Sequence, residues 1–286
     1  MRIGGRTTAL AAIAAITFGT LAGPASAATA TEYVALGDSA AAGPLIPPQD
    51  PASYGCLRSL VDYPHVVAKK IGAAKLTDVT CSGAKTVDLS GSQPTFTGPA
   101  APQLDALSSR TSVVTLTIGA NDVGLVPAVL SCLNLAPGVQ PDCVDRYTAG
   151  GHDQLAESIA DFEPKWGAAI SAIAKRAPKA RISVVGYGTY LPHNGCWPVA
   201  PLSARDADYI QKTIGELDAA LARQAAAHGA RFLDIRGVTS GHDVCQAPGV
   251  KWYESLVPTA IAAPLHPNEA GMAGIGAYVA GKLARN

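Results

Sequence analysis

The chain has 286 residues, 22 of them basic and 22 acidic, and 48% hydrophobic. That is enough chain for one large core or two small ones. The balanced charge, with no basic run, excludes a nucleic acid or an anionic membrane surface as an evident partner.

The N-terminus has the pattern of a targeting segment. Arg2 and Arg6 form a positive region, Ala9 to Leu21 is apolar, and Ala25-Ser26-Ala27 offers a small-x-small cleavage site. This predicts a secretory signal peptide over residues 1–27, cut after Ala27. Its apolar run falls short of the ~20 residues of a membrane span. No later segment is apolar enough to cross a bilayer, so no stable membrane span is expected. With no internal repeat and no long linker, residues 28–286 are expected to form a single domain.

From Thr31 onward, strand-like and helix-like stretches alternate. Tyr33-Val34-Ala35-Leu36 predicts the first strand, which stops at Gly37-Asp38-Ser39 before a run of alanines. Gly37 allows a tight turn. Ser39 then stands at the strand's carboxyl end, near the start of a helix, with Asp38 as its cap. Tyr63 to Ile71 predicts a helix, and Leu76 to Thr80 a weaker strand running into Cys81-Ser82-Gly83-Ala84. Val113 to Ile118 is the strongest strand, ending in Gly119-Ala120-Asn121-Asp122. Leu155 to Ala177 carries apolar residues at three- and four-residue steps, with Pro164 as a possible kink. Ile182 to Val185 predicts a fourth strand, Ala204 to His228 a helix, and Arg231 to Asp234 a fifth strand. The last helix spans Asn268 to Leu283, with Asn268 as its N-cap and Glu269 in its first turn. Continuous apolar strands alternating with helices predict an α/β fold with a parallel sheet and right-handed crossovers.

All six cysteines, Cys56, Cys81, Cys132, Cys143, Cys196 and Cys245, follow the signal segment. An even count in an exported chain points to disulfides. The sequence alone does not choose among the pairings. Nearest-neighbour pairing is the expectation: Cys56–Cys81, Cys132–Cys143 and Cys196–Cys245. No C-x-x-C pair exists, so no metal site is expected from these thiols.

Ligands of open parallel sheets bind outside the carboxyl ends of the strands. There the chain offers a serine hydroxyl (Ser39), a glycine whose N–H can approach a ligand (Gly83), and an amide side chain (Asn121). A histidine, His266, lies between prolines just before the last helix. Acyl transfer needs such a set: a nucleophile, a base, and donors where negative charge develops. The serine is not in a G-x-S-x-G elbow, which argues against the α/β-hydrolase arrangement.

Gly37-Asp38-Ser39, Gly83, Asn121 within Gly119-Ala120-Asn121-Asp122, and His266-Pro267-Asn268 match in order the four blocks of the SGNH (GDSL) hydrolases, which the chain resembles over residues 37–268. The cysteine layout and the Ala42-Gly43-Pro44 that follows the serine are similar to those of the family's secreted bacterial esterases and lipases. The resemblance implies a flavodoxin-like three-layer α/β/α fold, with a central parallel five-stranded sheet and three disulfides. It implies Ser39 as nucleophile, His266 as general base, and an oxyanion hole from the N–H groups of Ser39 and Gly83 with the Asn121 side chain. It requires no metal and no cofactor.

Two departures stand out. Ala120 replaces a frequent glycine, and Ala263 stands where the family's Asp usually precedes the histidine. A backbone carbonyl, of Ala263 or Pro264, would then orient the imidazole, giving a Ser–His dyad; Asp243 and Glu254 are the alternatives. The expected activity is that of a secreted (extracellular) serine esterase or lipase. The expected partner is an ester or lipid substrate and not nucleic acid, and the protein is expected to act as a monomer. Leu45, Ile46, Leu125, Val126 and Leu130 are candidates for an acyl groove. Rival readings on the same scaffold are a non-catalytic carbohydrate- or lipid-binding protein and a thioesterase or amidase.

Overall fold

The computed structural model describes residues 1–5, 31–136 and 138–285. Apart from the first five residues, the predicted signal segment and its cleavage point lie outside the described residues. Five strands form one sheet: β1 (Glu32–Gly37), β2 (Lys75–Asp78), β3 (Val113–Thr117), β4 (Arg181–Val185) and β5 (Arg231–Leu233). Their order is β2-β1-β3-β4-β5 and every pairing is parallel. The chain builds outward from β1 to β2, then returns to add β3 on the other side of β1. The carboxyl ends of β1 and β3 therefore flank the point where the winding reverses, where open α/β sheets hold their ligands.

The helices are α1 (Ser39–Ala42), α2 (Tyr63–Ile71), α3 (Leu125–Ser131), α4 (Cys143–Tyr147), α5 (Gln154–Arg176), α6 (Ala204–Ala227), α7 (Arg236–Thr239) and α8 (Glu269–Leu283). α2 packs on α8, and α5 on α6. All five residues of β3 are buried, as a strand covered on both faces must be. On one face Thr115 and Thr117 point to tyrosines: Tyr33 Oη lies 2.7 Å from Thr115 Oγ1 and Tyr63 Oη, from α2, 2.8 Å from Thr117 Oγ1. These bonds let the strand carry buried hydroxyls at little cost. Among the described residues no helix is long and apolar enough to cross a membrane.

Local chemistry sets the boundaries. α5 buries Leu155, Ile159, Trp166, Ile170 and Ile173 along one stripe and runs through Pro164 as a single element. Its N-cap is Asp153, which accepts from the Ala156 N–H. Asn268 caps α8 by accepting from the Gly271 N–H. β2 ends at Asp78, two residues short of the predicted Thr80. The Asp78 carboxylate captures both the N–H (2.9 Å) and the hydroxyl (2.7 Å) of Thr80 and turns the chain. This Asx-type turn satisfies Thr80 on the open edge of the sheet, while the Val79 and Cys81 N–H groups still donate to the Ala35 and Gly37 carbonyls of β1. Helices α3 and α4, which the periodicity does not reveal, are two turns or fewer. The structure joins Cys56 to Cys81, Cys132 to Cys143 and Cys196 to Cys245.

Gly37 closes β1 with φ 147°, and a Cβ placed on it would lie 2.5 Å from the Thr117 carbonyl oxygen of β3. Only glycine fits both demands. Buried Gln103 then locks its peptide groups, with Oε1 accepting from the Gly37 N–H (2.7 Å) and Nε2 donating to the Gly37 carbonyl (2.9 Å). Replacing Gly37 by Ala should destabilise the protein by about 1–3 kcal/mol from strain and overpacking. Urea unfolding of the disulfide-intact protein checks this, and an unchanged midpoint would contradict it.

Candidate active site

Ser39 is the first residue of α1, directly beyond β1. Asp38 caps that helix, accepting from the Ala40 N–H at 2.9 Å. His266 arrives from the loop before α8, and its Nε2 lies 2.7 Å from Ser39 Oγ. Its Nδ1 lies 2.7 Å from the Pro264 carbonyl oxygen. A carbonyl only accepts, so Nδ1 carries the proton and Nε2 presents its lone pair to the serine hydroxyl. Ser39 can thus pass its proton to the ring.

The acceptor behind the imidazole is the carbonyl of Pro264 and not that of Ala263, whose N–H bonds to the Pro44 carbonyl. Neither alternative carboxylate reaches His266. Asp243 accepts from the Cys245 N–H and from Gln246 Nε2. Glu254 is fully buried; it pairs with Lys251 Nζ at 3.0 Å and accepts from Asn268 Nδ2 and the Thr259 N–H. Glu254 serves the site differently, through its backbone. Its N–H donates to the His266 carbonyl and its carbonyl accepts from the Leu265 N–H. Leu265 itself is held at φ 63°, a left-handed conformation that a leucine adopts only when its surroundings impose it.

Asn121 follows β3. One N–H of its side chain donates to the Ala84 carbonyl at 3.0 Å, which leaves the second for a ligand. Asn121 is held from both sides. The Ala120 N–H donates to Tyr187 Oη, and the Asp122 carboxylate accepts from the Thr86 N–H, the Thr86 hydroxyl and Trp166 Nε1. Gly83 occupies the turn after β2 at φ 80°. Among the described residues, the N–H groups of Ser39 and Gly83 donate to no main-chain or side-chain acceptor.

Ser39, Asn121 and His266 open into a cavity of about 790 Å³, counting its solvent-open part. Its walls are mainly apolar and include Leu125, Val126, Val129, Leu133, Leu191 and Leu202. Gly83 is not among its lining residues; its neighbour Ala84 meets the lining residue Asn121 through its carbonyl. Leu45, Ile46 and Leu130 do not line it either: Ile46 is core, while Leu45 and Leu130 face solvent.

Tyr187 was not legible as a site residue. Its hydroxyl donates to Asp38 Oδ2 at 2.6 Å while accepting from the Ala120 N–H, bridging the ends of β1 and β3. Gln103 was equally hidden. Burial pushes the Asp38 carboxyl up to about 7, against the lowering effect of the Tyr187 hydroxyl and the Ala40 N–H. His266 keeps some surface toward the cavity, but protein crowds its other sides. That loss of solvent holds its pKa below the usual histidine value, partly offset by the Pro264 carbonyl.

The sequence profile of the GDSL-like Lipase/Acylhydrolase family matches residues 35–273. The chain is 40% identical to Lipase 2 of Streptomyces coelicolor, over 87% of this chain and 85% of that one. It is 34% identical to Lipase 1 of the same organism, over 93% and 91% of the two chains. Among solved structures, it resembles phospholipase A1 from Streptomyces albidoflavus NA297 with a TM-score of 0.74 and 29% identity, covering 89% of this chain and 99% of that one. It also resembles the extracellular lipase of Streptomyces rimosus, with a TM-score of 0.68 and 27% identity, covering 89% of this chain and all of that one.

An NMR titration of the His266 ring should give a midpoint below 6.5, the ordinary histidine value, because burial disfavours the imidazolium. A midpoint at or above that value would mean that an unseen negative charge faces the ring.

Proposed function

The chain belongs to the GDSL-like lipase/acylhydrolase family and is a serine ester hydrolase, and from this we propose that Ser39 is its nucleophile and His266 its general base. The observation that carries the assignment is the 2.7 Å contact between Oγ and Nε2. Nε2 takes the hydroxyl proton as Oγ attacks the ester carbonyl carbon. The resulting oxyanion is met by the Ser39 and Gly83 N–H groups and by Asn121 Nδ2. Collapse of this intermediate breaks the ester C–O bond, and the alcohol leaves with the proton from Nε2. Water then gives a proton to Nε2 and attacks the acyl-enzyme; the acyl–Oγ bond breaks, Oγ recovers the proton from Nε2, and the acid is released. The Pro264 carbonyl holds the tautomer throughout, the part that a carboxylate plays in a Ser-His-Asp triad.

The substrate is a lipid-like carboxylic ester, with its acyl chain along the apolar cavity. The wall residues support this, as does similarity to proteins named lipase and phospholipase A1. The leader-like N-terminus, the three disulfides and likeness to an extracellular lipase support a secreted single domain spanning 28–286. All the proposed site residues come from one chain, which suits a monomer.

Ser39→Ala should abolish both ester turnover and labelling by a fluorophosphonate. Labelling that survives the substitution would remove Ser39 from the role. Asn121→Ala should lower kcat by about 10²–10³-fold, the usual loss of an oxyanion donor. Asp243→Asn should keep kcat within about twofold, since that carboxylate is engaged elsewhere; a loss on the order of 10⁴-fold would restore it as a triad member.

Because His266 must be neutral to accept a proton, and its pKa is depressed, kcat/KM should fall only as pH drops below about 6.5. A limb centred near 7 that disappears in Asp38→Asn would assign the control to Asp38 instead. A panel of p-nitrophenyl esters should show kcat/KM rising with acyl length while the chain fills the cavity. Greatest activity on acetate would rule out the acyl-groove reading.

A further inference from the structure

We propose that Asp62, His65 and Asp78 form a structural site for a divalent transition-metal cation of the zinc type, separate from the ester-hydrolysing centre. Asp62 is the N-cap of α2. Its Oδ1 accepts from the His65 N–H at 3.0 Å and lies 2.7 Å from His65 Nδ1. Asp78 ends β2, the neighbouring edge strand. Its Oδ1 is taken by Thr80, and its Oδ2 lies 3.7 Å from the same His65 Nδ1. One candidate ligand atom from each residue can be chosen so that all three lie within 4.8 Å of one another.

Two buried oxygens in this cluster receive no hydrogen bond from any other group: Asp62 Oδ2 and Asp78 Oδ2; without a metal, only a proton kept on Asp62 can lie between the two acids. Their side chains are 0% and 5% exposed, so water does not readily satisfy them. Buried carboxylate oxygens are nearly always bonded, and an unpaired one asks for an explanation. The nearby cation does not supply it. The Arg58 guanidinium is occupied by Asp50 Oδ2 (2.8 Å) and the Thr80 carbonyl (3.0 Å). The corner thus holds three carboxylates and one guanidinium; burial and the neighbouring Asp78 push the Asp62 carboxyl well above its usual range, and a divalent cation would take the place of the proton that Asp62 then keeps.

The donor set decides which cation. One imidazole with two carboxylates suits zinc and its neighbours, whereas calcium and magnesium prefer all-oxygen shells. Three protein ligands leave a fourth position for water. The His65 side chain is 30% exposed, which gives an entry path. On binding, Nδ1 exchanges its contact with Asp62 for the metal. The ion then ties the first turn of α2 to the end of β2. Asp62 also packs beneath the end of α1: a Cβ on Gly43, the residue that terminates that helix, would lie 3.4 Å from Asp62 Cβ.

The test uses the untagged, disulfide-intact protein, stripped with EDTA and then dialysed. Zn²⁺ binding is followed by calorimetry and elemental analysis, and thermal unfolding by circular dichroism. Wild type should take up one Zn²⁺ per chain and gain about 5–10 °C in Tm at a hundredfold excess over Kd. His65→Ala and Asp78→Asn should fold without metal and lose both responses. Absence of saturable uptake by wild type would overturn the proposal, and so would equal uptake and stabilisation in His65→Ala. Should Asp78→Asn fail to fold, His65→Ala decides alone, because that side chain is partly exposed and its loss leaves the α2 cap intact.

Discussion

The hydrogen bond between Ser39 and His266 joins residues 227 positions apart, and most of the fold serves to hold it. One end is rigid by construction. Ser39 follows a buried strand whose last residue, Gly37, is locked by Gln103 and pressed against β3. The other end lies in a loop, where conformational freedom would ordinarily blur a 2.7 Å contact. That freedom is removed by short-range clamps. The segment Trp252–Glu254 lies alongside the His266 loop and exchanges backbone hydrogen bonds with it at Leu265, His266 and Asn268. Asn268 simultaneously caps α8 and bonds to buried Glu254. The ordering entropy is therefore met during folding, not when substrate arrives.

The partner behind the imidazole gives the site its electrostatic character. A carbonyl dipole fixes the tautomer as well as a carboxylate does, but adds no full negative charge. The imidazolium that His266 would form as the proposed base is less stabilised, and the resting ring stays neutral to lower pH. The carboxylates of this region are committed to structure: Glu254 neutralises buried Lys251, Asp243 closes a turn, and Asp38 bridges helix α1 to Tyr187. Crowding the ring with a further acid would also place a second buried charge beside an apolar cavity, which is costly without a full set of partners.

The legible parts of the sequence were those where chemistry is local. Continuous apolar runs marked β1 and β3, three- and four-residue spacing marked α5 and α6, and Asn268 with Glu269 marked the start of α8. Ser39 and His266 stood out because each lies beside a break in such a pattern. What stayed hidden was long-range pairing. Nothing near Gln103 signals that its amide will bracket Gly37, 66 residues away. Nothing near Tyr187 signals a bridge from Asp38 to Ala120. β2 closes at Asp78 with a local side-chain turn onto Thr80, a detail that periodicity averages over. Leu45, Ile46 and Leu130 looked like groove residues because they follow motif strands, but burial depends on which way a short turn faces. The cluster of Asp62, His65 and Asp78 was invisible for the same reason, since β2 delivers its third member from a separate element.

The mostly hydrocarbon lining of the cavity has a consequence for the end of each catalytic cycle. An uncharged lipid-like ester, the substrate proposed above, would enter such a channel at little cost in hydration, whereas the acid freed from it is ionised at neutral pH. In the proposed mode the carboxylate is freed beside Ser39, Asn121 and a neutral His266, at the mouth of an apolar cavity that lends it hydrogen-bond donors but no countercharge. On that reading the site would hold the uncharged reactant better than the anion made from it, and product would leave without a moving gate.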